Sequence, residues 1–183
     1  MVLQTDASLE GVGAVVFVAG TPRAYLLEAL QTSSHFAVAV RRCLKVPKRG
    51  PIRGQLFPKM VTALEFLTVL LAARTWAAEI RQALNERVQV AVRTDSAAAM
   101  GAALSWRSPA PQLNQVAKEL CADAAAGLFT VDLVEHVPGI ANVWADELSH
   151  LRVPEELAAS GASRSRVPIP KGAFWTARAP PPV

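Results

Sequence analysis

The chain is poor in the side chains that soft-metal and redox chemistry require. Among 183 residues there are two cysteines and three histidines. Cys43 and Cys121 lie far apart, no C-x-x-C occurs, and no histidine sits at ligand spacing. A disulfide framework and a structural zinc site are therefore not expected, and both thiols read as reduced and inert. No continuous apolar run reaches the eighteen or so residues that a membrane span requires, and no basic region precedes the first apolar run as in a secretory leader. The expectation is an intracellular protein, cytoplasmic or nuclear, neither secreted nor in a membrane. No internal repeat is visible. Acid is also missing from one long stretch: between Glu28 and Glu65 there is no Asp or Glu, while Arg41, Arg42, Lys45, Lys48, Arg49, Arg53 and Lys59 are all basic.

What is present is enough apolar material, 51% of the residues, for one full core. Residues 1–151 are expected to form one domain and 152–183, rich in Pro, Ser and Arg, a linker-like or partly disordered extension. A net charge of +4 leans toward a polyanionic partner. Three strand-like runs, VLQTD, GVGAVVFVAG and RAYLLEAL, with a turn at AGTP, predict an antiparallel meander. Residues 31–58 read as mostly irregular, although SHFAVAV has the look of a strand and PKRGPIRG is a loop. From Lys59 to about Leu84 the spacing of Val61, Leu64, Thr68, Leu71, Ala72 and Trp76 predicts a long helix. VQVAVR and FTVDLVEHV follow as strands, with DSAAAMGAALSW, QLNQVAKELCADAAA and NVWADELSH as helices. Strands alternating with helices imply parallel pairing in this half.

This order places four carboxylates at special points. Asp6 ends the first strand, Glu65 lies within the long helix, Asp95 ends the fourth strand, and Asp146 falls in the first turns of the last helix. Three of them have ordinary explanations: Asp6 an Asx-turn, Asp95 a helix cap, Asp146 a favourable place near the positive end of its helix. Glu65 resists one, because its helical neighbours Val61, Thr68, Val69 and Ala72 make a largely apolar surface on which a lone carboxylate is costly. Parallel strands end on the same edge of a sheet, so Asp6 and Asp95 would sit side by side, with Glu65 and Asp146 reaching them from helices. Carboxylates packed so closely resist joint ionisation unless cations lie among them. Ligands of oxygen alone select a hard ion, with Mg²⁺ the expectation. Two such ions about 4 Å apart are the apparatus of in-line phosphoryl displacement.

LQTDAS with GVGAVV, TALEFLTVLLAA, VAVRTDSAAAM and VEHVPGIANVWADELS together resemble the ribonuclease H domain of reverse-transcribing retroelements, especially the long-terminal-repeat and tyrosine-recombinase groups. The resemblance spans residues 1–151, and H-x-P-G-x-x-N-x-x-A-D-x-L-S is its most specific motif. It implies a ribonuclease H-like α/β fold, a five-stranded mixed sheet with strands 1–3 antiparallel, strands 1, 4 and 5 parallel, and helices on both faces. It also implies cleavage of the RNA strand of RNA/DNA hybrids with two Mg²⁺ ions, Mn²⁺ being a possible substitute, to give 5'-phosphates. Asp6, Glu65, Asp95 and Asp146 match the family's catalytic, metal-holding carboxylates. No polymerase-like Y-x-D-D occurs and the chain starts five residues before Asp6, so a module cut from, or acting beside, a reverse-transcriptase polymerase domain is the expectation.

Related nucleases fit less well. A proofreading-type exonuclease would carry D-x-E in its first strand, where this chain has Ser8. A transposase or integrase would place its glutamate after the second aspartate, but Glu65 precedes Asp95. The alternative from another class is a degenerate copy that binds nucleic acid or braces a polymerase without cutting. For substrate contact, Lys48, Arg49 and Arg53 offer charge to phosphates. Ser8 and Ser96 could bond a phosphate or 2'-hydroxyl, and Trp106 with Arg107 could meet a sugar. Better-known relatives carry a histidine in a loop before the last helix, and none lies between Val137 and Asn142 here. His136 is expected to be packed. His150, four residues beyond Asp146 and so about 6 Å away between Cβ atoms, is expected to assist through its charge.

Overall fold

The computed structural model describes residues 1–30, 58–84 and 88–167, together with Ala37, Val40, Arg41 and Leu44. β1 (Val2–Ala7), Val-rich β2 (Gly11–Val18) and β3 (Thr21–Ala29) form an antiparallel meander. The β2–β3 turn is Ala19-Gly20, both at positive φ, 50° and 79°. Such turns match the twist of the flanking strands, and glycine adopts them freely where alanine does not. The long apolar helix α1 (Pro58–Leu84) follows, then β4 (Val88–Thr94), which pairs in parallel with β1. Helices α2 (Ala97–Ser105) and α3 (Pro111–Ala125) form the crossover that brings β5 (Phe129–His136) parallel to β4. A 3-10 turn (Gly139–Ala141) leads into α4 (Val143–Ser149).

Two expectations change. Among the described residues the sheet has six strands, not five, in the order β5-β4-β1-β2-β3-β6. The sixth comes from the stretch read as a linker: α5 (Glu155–Ala159) buries Leu157, and β6 (Ser163–Ser165) pairs in parallel with β3. A strand of three polar-rich residues carries no alternation to read, and its place is fixed from outside, by Trp76 Nε1 donating to Ser165 Oγ at 2.9 Å. The strand-like reading of SHFAVAV is corrected where residues are described. Ala37, Val40, Arg41 and Leu44 are helical and buried, and their spacing of three and four selects one helical face.

The sheet is covered on both faces. Leu3, Val16, Leu26 and Val92 belong to the main core with Leu67, Leu71 and Trp76 of α1. Strand alternation sends Val15 and Leu27 to the other side, where they meet Leu148 of α4 and Leu157 of α5, with Phe17 stacked on Trp144 at 5.9 Å. Arg74 of α1 bonds Glu119 at 2.8 Å and also Asp123, tying α1 to α3 through charges that are nearly buried.

Candidate metal centre

The parallel β1–β4 register pairs Leu3 with Val92 and Gln4 with Arg93. Continued two residues, it brings Asp6 level with Asp95, the first residue beyond β4. Glu65 reaches the same sheet edge from α1. One oxygen from each of Asp6, Glu65 and Asp95 lies within 4.8 Å of the others. Burial pushes the Asp6 carboxyl up to about 6, opposed by a hydrogen bond from the Ser149 hydroxyl and reinforced by repulsion from Asp95 and Asp146. Glu65 is also raised, first by burial and then by Asp6 and Asp95, against a hydrogen bond with Ser96.

The Ser96 hydroxyl caps α2, accepting the Ala99 N–H at 3.2 Å, with its backbone extended at φ −85° and ψ 101°. The reading of Asp95 as a residue that also caps the helix is therefore corrected: the cap is one residue later. This leaves Asp95 with a buried Oδ1 that has no hydrogen-bond partner. Its Oδ2 faces Gly139, where a Cβ would stand 3.4 Å away. An orphaned buried carboxylate oxygen is costly, and three converging carboxylates repel. A divalent cation relieves both, and an all-oxygen donor set suits a hard one. Asp6, Glu65 and Asp95 fit such an ion.

Asp146 stands outside this tight set. It lies in the first turn of α4 with its side chain 53% exposed, near enough to Asp6 to repel it. His150 ends the same helix, with Nε2 3.8 Å from Asp146 Oδ1 and Nδ1 3.6 Å from Glu10 Oε2. The helix sits here because β2 has glycines facing it. A Cβ on Gly13 would lie 2.3 Å from the Ala145 oxygen and 2.5 Å from Leu148 Cβ, and one on Gly11 would meet Leu151 at 2.7 Å. Gly13 is also the Cα partner of Asp6.

His136 is exposed, not packed, and its Nε2–H donates to the backbone oxygen of Asp95 at 3.0 Å. It ends β5, which is an edge strand among the described residues. Asn142 is fully buried, and its Nδ2 donates to the Thr5 oxygen at 3.0 Å, fastening the 3-10 turn to β1. Sequence reading gave His136 the wrong surroundings and assigned nothing to Gly13, Ser149 or Asn142. The only available signal for the last two was their place in the H-x-P-G-x-x-N-x-x-A-D-x-L-S motif.

The residues expected at nucleic acid are dispersed. Ser8 Oγ donates to the Ser149 oxygen at 2.8 Å and accepts the N–H of Glu10 at 3.0 Å, so it holds the β1–β2 turn against the end of α4. Trp106 ends α2 at φ 56° and packs, partly buried, against the main core, while Arg107 beside it is exposed. Lys48, Arg49 and Arg53 lie outside the described residues.

No family model and no curated protein matches the chain. Among solved structures, it is similar to the N-terminal RNase H domain of a Mycobacterium tuberculosis protein, determined as a fusion with maltose-binding protein. That match has a TM-score of 0.51 at 20% identity and covers 84% of this chain and 98% of the other. The fold is ribonuclease H-like, and it carries a carboxylate triad able to hold a metal ion.

Proposed function

We propose that this chain is a metal-dependent endonuclease that hydrolyses the RNA strand of RNA/DNA hybrids, with Asp6, Glu65, Asp95 and Asp146 holding two Mg²⁺ ions. The observation that carries this reading is the convergence of Asp6, Glu65 and Asp95, one of which has an orphaned buried oxygen, at the strand ends of a ribonuclease H-like fold. When bound, a pair of such ions lowers the pKa of an attacking water and neutralises charge on the leaving oxygen. The chain's own part is positioning. Adjacent strand ends fix Asp6 and Asp95, Ser96 orients Glu65, and burial shields Asp6 from water. Asp146, on the solvent side, completes the set where a phosphate would arrive. His150 beside it, and Lys48, Arg49 and Arg53 elsewhere, supply positive charge to the substrate. The motif resemblance supports a retroelement setting, in which the domain works beside a reverse-transcriptase polymerase domain inside the cell.

The test is incubation with a labelled RNA/DNA hybrid, duplex DNA and duplex RNA, with Mg²⁺, Mn²⁺ or chelator. RNA-strand cleavage with either metal, 5'-phosphate ends and none with chelator are expected. Hybrid binding without cleavage under every metal would replace this reading with that of a non-catalytic module.

A further inference from the structure

Asp146 rides on α4, and the start of that helix is set by a side chain to which the carboxylate scheme gives no part. Asn142 is the N-cap of α4 and is fully buried. An asparagine in that place ordinarily caps its own helix, but this one makes no side-chain cap bond. Its Nδ2–H donates instead to the Thr5 oxygen at 3.0 Å, one residue before Asp6 and just beyond Gln4–Arg93, the last pair of β1 with β4. Its backbone oxygen accepts the Asp146 N–H at 3.0 Å. One residue thus joins the backbone beside Asp6 to the backbone of Asp146. Its own N–H donates to the Gly139 oxygen at 3.0 Å, closing the 3-10 turn that lies against Asp95 Oδ2. The other end of that turn is tied to β4, where the Val137 N–H donates to the Thr94 oxygen at 3.0 Å and His136 Nε2–H to the Asp95 oxygen at 3.0 Å.

Apolar burial does not hold the turn down, since none of Gly139–Ala141 is buried and Ile140 is 88% exposed. Ala145 and Leu148 bury the body of α4, but apolar contact is non-directional, whereas a hydrogen bond fixes a distance and an angle. Nor is Asn142 a net source of stability. Its Oδ1 is buried with no partner among the described residues, and such an orphan costs at least as much as one hydrogen bond contributes. What the amide supplies is direction. We infer that Asn142 is a positioning residue of the metal centre: its side chain ties the start of α4 to the β1 residue beside Asp6, and so sets where Asp146 stands relative to the triad. The inference deepens the proposed nuclease reading and rests on its assignment of Asp146.

The experiment uses Asn142→Leu, which is close in shape and lacks the donor. Amide hydrogen exchange, read on the metal-free chain in chelator, is expected to quicken about 10-fold at Asp146 while Leu3 and Val92 in the sheet keep wild-type exchange. In hybrid cleavage with Mg²⁺, kcat per folded molecule is expected to fall by about 10²-fold, the effect of a misplacement of about 1 Å, with KM for the hybrid unchanged. Wild-type exchange at Asp146 or wild-type kcat in a folded Asn142→Leu chain would overturn the inference. If Asn142→Leu does not fold, Asn142→Asp takes its place, with an oxygen where the donor stood; unchanged exchange at Asp146 there is equally fatal. If the wild type cuts no hybrid, the nuclease reading falls, and calorimetric titration of Mn²⁺ into the metal-free chain takes the place of turnover. Binding about 10-fold weaker in Asn142→Leu would then keep the inference, and equal binding would end it. Cleavage by the wild type with kcat indifferent to Asn142→Leu would keep the nuclease reading and end the inference alone.

Discussion

Asp6 and Asp146 lie near enough to repel each other, yet Asp6 is 7% exposed and the Asp146 side chain 53%. Asp6 belongs to the strand framework: its neighbours are set by β-sheet register, and its carboxyl is held in a costly, dehydrated place. Asp146 belongs to a seven-residue helix whose place depends on two glycines, one serine and a small apolar cluster. The triad, buried at Asp6 and half-buried at Glu65 and Asp95, fixes where a cation can sit. The exposed corner fixes what completes it, and can shift without disturbing the main core. Substitutions in the triad should therefore act on chemistry, and substitutions under α4 on geometry.

The largest effect is expected from Asp95→Asn. Cleavage should vanish, because one charged ligand is lost from the triad. Stability without metal should stay the same or rise, since like-charge repulsion falls and the cap of α2 belongs to Ser96. Hybrid cleavage and thermal unfolding in chelator measure the two. Unfolding, with activity merely scaled to the folded fraction, would make Asp95 a structural residue.

Gly13→Ala comes next. Its Cβ would meet backbone at 2.3 Å, contact that only movement of α4 can relieve, at a cost of about 1–3 kcal/mol. Leu71→Ala, in the main core, should cost about 2–5 kcal/mol yet leave activity per folded molecule intact, because α1 is anchored along its length. Gly13→Ala should lower that specific activity sharply by displacing Asp146 and Ser149. Equal specific activities for the two variants would erase the distinction between triad and corner.

The same distinction explains what was legible in the sequence. Asp6, Asp95 and Glu65 stood out because each is a carboxylate at a strand end or in an apolar helix, and those features are local. Strand pairing was legible too, since alternation and the strand–helix order determine it. Gly13, Ser149 and Ser8 act through contacts across as many as 141 positions in sequence, and no local period encodes such an approach. His136 was misjudged because membership of a strand does not say whether that strand lies at the edge. β6 escaped because three residues are too few for a pattern.

A pH series tests the buried partner alone. Ionising Asp6 is harder in the folded chain than in the unfolded one, so the folded chain keeps a proton that the unfolded chain loses between 3.8 and about 6. The stability this group contributes is complete below 3.8 and disappears as pH rises through about 6, a loss of up to about 3 kcal/mol. Glu65 is shifted in the same direction. Denaturant unfolding in chelator should show wild-type stability falling over that window relative to Asp6→Asn. Adding Mg²⁺ at pH 7 should restore stability to the wild type much more than to the variant. Parallel pH curves for the two proteins would contradict the burial argument.

The smallest effect is expected at His150. Its ring lies between Glu10 and Asp146 at 3.6 and 3.8 Å, and all three side chains are well exposed. Exposed pairs of this kind contribute about 0.2–1 kcal/mol, so His150→Ala should change stability little and lower turnover only modestly. His150→Arg should restore turnover, because the side chain's part is positive charge beside Asp146 and the arriving phosphate. General acid–base catalysis contributes about 10²- to 10⁴-fold. A loss of that size in folded His150→Ala, unrepaired by Arg, would make the imidazole a proton-transfer group, and the exposed corner would then take part in the chemistry instead of only shaping it.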